Sequence, residues 1–185
     1  MANEFWTSAG VEPKRKYRFL VQFGATGATT AEIGNLWFAK SVTKPEITVN
    51  TTEHAFMNHK FYYPGTVEWN EITLTLVDPV SPDAAEMTAQ MLETAGYKGP
   101  GALKGANPVT LSKAASVDAL GSVIITVVDQ AGNALETWTL NNAFIIKVGY
   151  GELSYGDDEL TEIELSFRYD WATIKPKTGP SIWQD

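Results

Sequence analysis

The chain has 185 residues, 44% of them hydrophobic, 11% aromatic and 19% charged, with 14 basic and 22 acidic side chains for a net charge of −8. This composition suits one packed core in one domain and excludes intrinsic disorder. With no cysteine, disulfides, thiolate nucleophiles, zinc fingers and iron–sulfur clusters are excluded as well.

The excess of carboxylates argues against affinity for nucleic-acid phosphates, which rests on Lys and Arg displacing counterions. Residues 114–170 hold ten carboxylates against Lys147 and Arg168 alone, and the rest of the chain holds twelve of each sign. The net charge therefore sits in the C-terminal third. Residues 1–15 lack the pattern of a signal peptide, and no run of about 18 apolar residues reads as a membrane helix. A cytoplasmic site of synthesis is the expectation.

In chain order, residues 15–23 alternate Tyr17, Phe19, Val21 and Phe23 with Lys16, Arg18, Leu20 and Gln22, the period of a half-buried strand. A small, Gly-rich turn follows, then an apolar run over residues 36–42, and the two runs read as a hairpin. Residues 47–63 are mixed, a long excursion closing at the turn dipeptide Pro64-Gly65. Residues 67–77 alternate again, with Ile72, Leu74 and Leu76 on one face and Glu71, Thr73 and Thr75 on the other.

A single helix is expected over residues 82–95. Ser81 suits its N-cap, Pro82 its first position, Asp83 and Glu86 its positive end and Gly96 its stop. Its apolar stripe is Ala84, Met87, Met91, Leu92 and Ala95, and the methionines read as packing against a sheet. Residues 97–120 give no clear element, unusual for a connection of that length.

Residues 122–128 and 135–140 flank a turn-like Asp129-Gln130-Ala131-Gly132-Asn133 and read as a hairpin. Residues 144–148 form another strand and 149–156 are irregular. Over residues 161–171, Ile163, Leu165, Phe167, Tyr169 and Trp171 alternate with Glu162, Glu164, Ser166, Arg168 and Asp170. The domain is therefore expected over residues 1–171, with 172–185 an extended C-terminal tail. No tandem repeat of supersecondary size is present.

A search for chemistry returns little. His54 and His59, five apart, fall on opposite faces of a strand or about 140° apart on a helix, so they do not chelate locally. Asp157-Asp158-Glu159 lacks the ligand spacing and central glycine of a calcium loop and reads as a solvated turn. Gly151-Glu152-Leu153-Ser154-Tyr155-Gly156 misses the nucleophile-elbow spacing by one position. No phosphate-binding or dinucleotide fingerprint occurs, and the sequon Asn50-Thr51-Thr52 reads as idle. Trp37, Trp69, Trp138 and Trp171 fall in expected strands, as core or interface residues or, alternatively, as a sugar-stacking face.

Three stretches resemble the tail tube family of contractile bacteriophages, related in fold to the tube protein of type VI secretion systems. The first is Phe56-Met57-Asn58-His59-Lys60, then Pro64-Gly65-Thr66, then the strand led by Trp69-Asn70-Glu71-Ile72. The second is the helix after Pro82. The third is Val148-Gly149-Tyr150-Gly151-Glu152, then Asp157, then the final alternating strand closing on Asp170-Trp171. The likeness spans residues 16–171, while residues 97–120 and those beyond 171 depart from the family.

The resemblance implies a mainly β fold, sandwich- or barrel-like, with one helix. It implies homo-oligomeric six-fold rings stacked into a tube, a conduit for double-stranded DNA that is not specifically bound. Sheath and baseplate proteins are the implied partners, the virion tail is the implied location, and no catalysis, cofactor, metal or membrane is implied. The inner lining is expected from Glu71, Thr73, Thr75, Glu162, Glu164 and Ser166. Contact between rings is expected at Glu53, His54, Ala55, Phe56 and Met57. The competing readings are a baseplate hub or tube initiator of the same fold, a type VI tube, a carbohydrate-binding sandwich and, last, an enzyme.

Overall fold

A computed structural model describes residues 12–24, 36–100 and 110–184. Two four-stranded antiparallel sheets pack face to face. The first has the order β1-β6-β7-β10, built from Phe19–Gly24, Ser122–Val128, Ala134–Asn141 and Trp171–Pro176. The second has the order β2-β5-β9-β8, built from Ala39–Val42, Ile72–Val77, Glu162–Arg168 and Phe144–Gly149. A separate two-stranded hairpin joins β3, Ile47–Phe56, to β4, His59–Trp69.

The core follows from the period-two side-chain pattern. Leu74, Leu76, Ile163 and Leu165 of β5 and β9 are fully buried, and they meet Val21, Val123, Ile125 and Leu140 of the first sheet. Phe23 and Phe167 close the space between the sheets edge to face at 5.8 Å. Each such side chain contributes about 1.5–3 kcal/mol by leaving water. The stripe expected on β5 is therefore present, and the expected β6–β7 hairpin is too. Its turn is held by Asp129, whose carboxylate accepts from the backbone N–H groups of Ala131 at 2.8 Å and Asn133 at 2.9 Å.

Several expectations are corrected. The runs at 15–23 and 36–42 do not pair with each other: β1 pairs with β6, and β2 with β5 in the other sheet. The alternation read as one strand over 161–171 is two, because the chain leaves β9 at Tyr169-Asp170 and enters the first sheet as β10. The tail expected from residue 172 thus begins inside a sheet, with Ala172 fully buried.

Helix α1, Ala84–Thr94, is capped by Asp83, whose carboxylate accepts from Glu86 N–H, so Ser81 and Pro82 precede the cap. Its buried residues are Ala84, Thr88 and Met91, with Ala95 at the C-cap, while Met87 and Leu92 are half-buried. A second helix, α2, Lys113–Leu120, lies where no element was expected, capped by Ser112. Its Lys113 reaches both oxygens of Asp170 at 2.8 and 2.6 Å, and Asn142 Nδ2 donates to the same carboxylate at 2.8 Å. Asn142 and Asp170 stand at two of the places where the chain changes sheet, from β7 to β8 and from β9 to β10, so one carboxylate ties both corners to α2. Those donors hold its pKa below the usual value, the bond from Lys113 most of all.

A second ionic knot fixes the approach to the hairpin. The buried carboxylate of Glu136 on β7 accepts from Lys14, from Lys44 and from Trp138 Nε1, the last at 3.1 Å. Burial alone raises a carboxyl pKa, but these donors outweigh it and bring Glu136 down to about 2. A depressed carboxylate stabilises the fold above its unfolded pKa, and that stabilisation vanishes as pH falls through the folded value. Glu136→Gln is therefore expected to lower stability at pH 7 by about 2 kcal/mol, allowing for screening of the exposed lysines. It is also expected to flatten the loss of stability between pH 4.5 and about 2. Urea unfolding across that range measures both.

Candidate assembly surfaces

The β3–β4 hairpin is long and unaccompanied. At about 3.3 Å per residue its ten- and eleven-residue strands reach about 30 Å. Beyond its root almost every residue is exposed, with Met57 at 86%, Tyr62 at 63% and Phe56 at 59%, and Val49, Phe61, Tyr63 and Val67 exposed too. A two-stranded ribbon is marginal in water by itself, and so many exposed apolar side chains on one projection mark a contact surface.

The local sequence explains its shape. The chain reverses at Met57-Asn58, with Met57 at φ 52°, and not at the Pro64-Gly65 dipeptide, which lies within β4. There the register shifts between Val49 and Thr51, and a Cβ on Gly65 would stand 3.1 Å from the Asn50 carbonyl oxygen. Glycine thus serves a close approach of two strands. Glu53, His54, Ala55 and Phe56 lie in the outer part of β3 and Met57 at the tip, so the five expected contact residues fall together and exposed.

At the hairpin root, Trp69 packs on Tyr169 at 5.9 Å and on Trp183 at 5.5 Å, and Trp183 also meets Trp138 at 6.4 Å. Of the four tryptophans expected in strands, Trp69 and Trp138 are thereby committed to packing, Trp171 in β10 is half-buried, and Trp37 lies exposed in the turn before β2. Arg168 reaches Glu68 at 3.0 Å across the root.

The register of the second sheet sets where its attachments leave. The hairpin departs at the end marked by the Ile72↔Phe167 pair, where Asn70 N–H reaches the Glu46 carbonyl at 3.0 Å. Residues 150–161, joining β8 to β9, depart at the opposite end, marked by the Val77↔Glu162 pair. That connection exposes Tyr150, Leu153, Tyr155 and Leu160 beside Glu152, Asp157, Asp158 and Glu159. The subunit thus presents two unlike ends.

On the outer face of the second sheet, Thr73 stands opposite Ser166 and Thr75 opposite Glu164, with Glu162 opposite Val77. Five of the six expected lining residues share that face, and Glu71 lies exposed just before β5. Ser166 is buried, at 5% exposure. The carboxylates are accompanied: Glu162 accepts from Lys40, and Glu164 accepts from Lys147 at 2.9 Å. The Glu162 hydrogen bond in turn holds the Lys40 ammonium above its usual pKa. Such exposed pairs add little stability, about 0–1 kcal/mol, but they bring the face closer to neutral than the run of glutamates suggests.

One surface was missed from sequence. Lys14, Arg15, Lys16, Arg18 and Lys44 rim a groove between β1 and β2 whose floor includes Phe19 and Val127. The signal was the basic run at 14–18. Among the described residues no group of three or more His, Cys, Asp or Glu is placed to hold a metal, and no helix is long and apolar enough to cross a membrane.

Two antiparallel sheets with a projecting hairpin and unlike ends define the fold. No protein-family model and no curated protein matches the chain. Among solved structures, a chain of the anti-feeding prophage baseplate matches with a TM-score of 0.64 at 16% identity, covering 90% of this chain and 97% of that one. A chain of the sheath–tube complex of an extracellular contractile injection system, in its extended state, matches with a TM-score of 0.63 at 18% identity, covering 89% and 92%. An Hcp protein matches with a TM-score of 0.51 at 11% identity, covering 88% and 96%. The fold is that of contractile tail tube proteins, related to the tube protein of type VI secretion.

The irregular end of the subunit hinges on Gly151, at φ 76°, where a Cβ would come within 2.6 Å of the Glu162 carbonyl oxygen. Gly151→Ala is expected to destabilise the fold by about 2 kcal/mol, from the positive φ and from the displaced β9 backbone. Chemical denaturation gives the loss, with amide exchange expected to rise first in residues 150–162.

Proposed function

We infer that this protein is a non-enzymatic structural subunit that assembles as hexameric rings stacked into the inner tube of a contractile bacteriophage tail, through which DNA leaves the virion. The exposed β3–β4 hairpin carries this reading, because a ribbon of that length and apolarity is ordered at low cost only against another copy. The tube fold and the two unlike ends support it, since head-to-tail contacts close into rings and stacking requires a second, different surface. In this reading Glu53, His54, Ala55, Phe56 and Met57 meet the adjacent ring. The outer face of β5 and β9 meets the lumen, where Thr hydroxyls and lysine-paired glutamates give a passing duplex no net positive surface to hold it. Sheath and baseplate proteins are the external partners.

A second reading, a baseplate component that forms a single ring at the start of the tube, is favoured by the likeness to a chain of a contractile baseplate. Electron microscopy of the purified protein separates the two. Long tubes support the first and isolated rings the second, while a monomer at all concentrations overturns both.

Replacing residues 53–62 by Asn-Gly keeps Thr52 opposite Tyr63 across a two-residue turn and removes no buried side chain. The variant is expected to unfold within about 0.5 kcal/mol of the parent and to form no tubes by microscopy. Tubes of normal length would refute the role of the tip. For the lining, Glu162→Lys with Glu164→Lys sets two new ammonium groups beside those of Lys40 and Lys147, four in all. Assembled particles are then expected to retain DNA or eject it more slowly, an effect weakened by salt because it acts over about 8 Å at physiological ionic strength. Unchanged ejection kinetics would put this face outside the lumen.

A further inference from the structure

The first sheet ends in two edges, β1 and β10, and its β10 edge is not left open. After Pro176 the chain turns back through Gly179, at φ 121°, and Ile182 pairs with Ile174. Ile182 N–H donates to the Ile174 carbonyl at 2.8 Å and Ile174 N–H to the Ile182 carbonyl at 3.3 Å. Trp183 then takes a left-handed φ of 61°, a conformation that costs a bulky side chain energy. It lays its ring edge-to-face on Trp69. Despite these contacts Ile182 and Trp183 remain 48% and 51% exposed, and among the described residues no core residue lies beyond Ala172.

We propose that residues 177–184 are a displaceable cap on the β10 edge, and that a second copy of this chain removes it by seating its β1 strand opposite β10. The proposal rests on the ring reading, and within it is the alternative to a lumen at β5 and β9, because joined β1 and β10 edges bring the first sheet to the inner side. The polarity of the sheet identifies the occupant. Antiparallel pairing of β1 with β6, β6 with β7 and β7 with β10 leaves β1 and β10 antiparallel to each other. Copies related by rotation about an axis along the strands therefore present β1 to β10 in ladder-forming polarity. Both strands are six residues long. Among the described residues the outer edge of β1 carries one backbone contact, Leu36 N–H to the Val21 carbonyl at 2.9 Å.

The cap has the properties of a temporary occupant. It makes one bridge where a full strand makes a ladder, and its tryptophan is held in an unfavourable backbone conformation. An exposed strand edge invites uncontrolled pairing, which short, self-supplied covers suppress. Because Trp183 also packs on Trp69, lifting the cap uncovers the hairpin root at the same moment. Lateral joining of copies is thereby coupled to the freedom of the hairpin to swing toward its own partner.

A lock tests the mechanism directly. The chain contains no cysteine, so Ile174→Cys with Ile182→Cys creates a single disulfide across the bridge, within the reach of directly paired strands. Oxidised protein is expected to stay monomeric by analytical ultracentrifugation, and dithiothreitol to restore assembly. Conversely, a chain ending at Pro176 is expected to assemble at about a hundredfold lower concentration than the full chain, the effect of losing two net hydrogen bonds and a stacked ring. Its far-ultraviolet circular dichroism controls for folding. Equal assembly of oxidised and reduced protein overturns the cap and leaves the ring reading standing. Full and shortened chains that both remain monomers overturn the two together.

Discussion

The pairing of β5 with β9 at the centre of the second sheet is the constraint on which the rest of the molecule depends. Its register, Leu74 opposite Leu165 and Leu76 opposite Ile163, places four fully buried side chains on one face. A slip of one residue would turn that face to water. Because the ladder is fixed, so are its two ends, and with them the points from which the hairpin and the β8–β9 connection leave. The outer face is fixed as well, since every residue between two buried ones must point away from the core.

Polar groups then hold what the apolar core cannot. Asp170 gathers Lys113 and Asn142 at the corners where the chain passes from one sheet to the other. Glu136 gathers Lys14 and Lys44 beside the start of β3. In both places a carboxylate receives several donors from segments distant in sequence. Removing one partner leaves a charge without compensation, so these knots specify where the connections lie more than they add stability.

Strands β5, β6, β7 and β9 were legible because their alternation is a local property of the chain. Which sheet a strand joins is not local. The alternation at 161–171 runs unbroken through Tyr169-Asp170 while the backbone crosses between layers, and nothing in the period of two records that step. Helix α2 was hidden for another reason: its eight residues, KAASVDAL, carry almost no amphipathic contrast, and contacts such as that of Lys113 with Asp170 hold it in place. The hairpin reads from sequence as an excursion because its pattern is mixed and closes at the turn dipeptide Pro64-Gly65, yet that dipeptide serves a register shift beside Asn50. On the candidate surfaces, parity gave the faces of β5 and β9 correctly. It could not give Lys40, whose partner Glu162 lies 122 positions away.

The departure of the hairpin and the acidic connection from opposite ends of one sheet gives the subunit a direction. In the proposed tube, copies joined end to end through those projections would add as vectors and leave two chemically different termini, one bearing the hairpin tips and the other the connection with its carboxylates and exposed aromatic side chains. Addition at the two termini then proceeds with different rate constants. A fibre of this kind can be started at one end and stopped at the other by unrelated caps, each needing to match only the chemistry it meets.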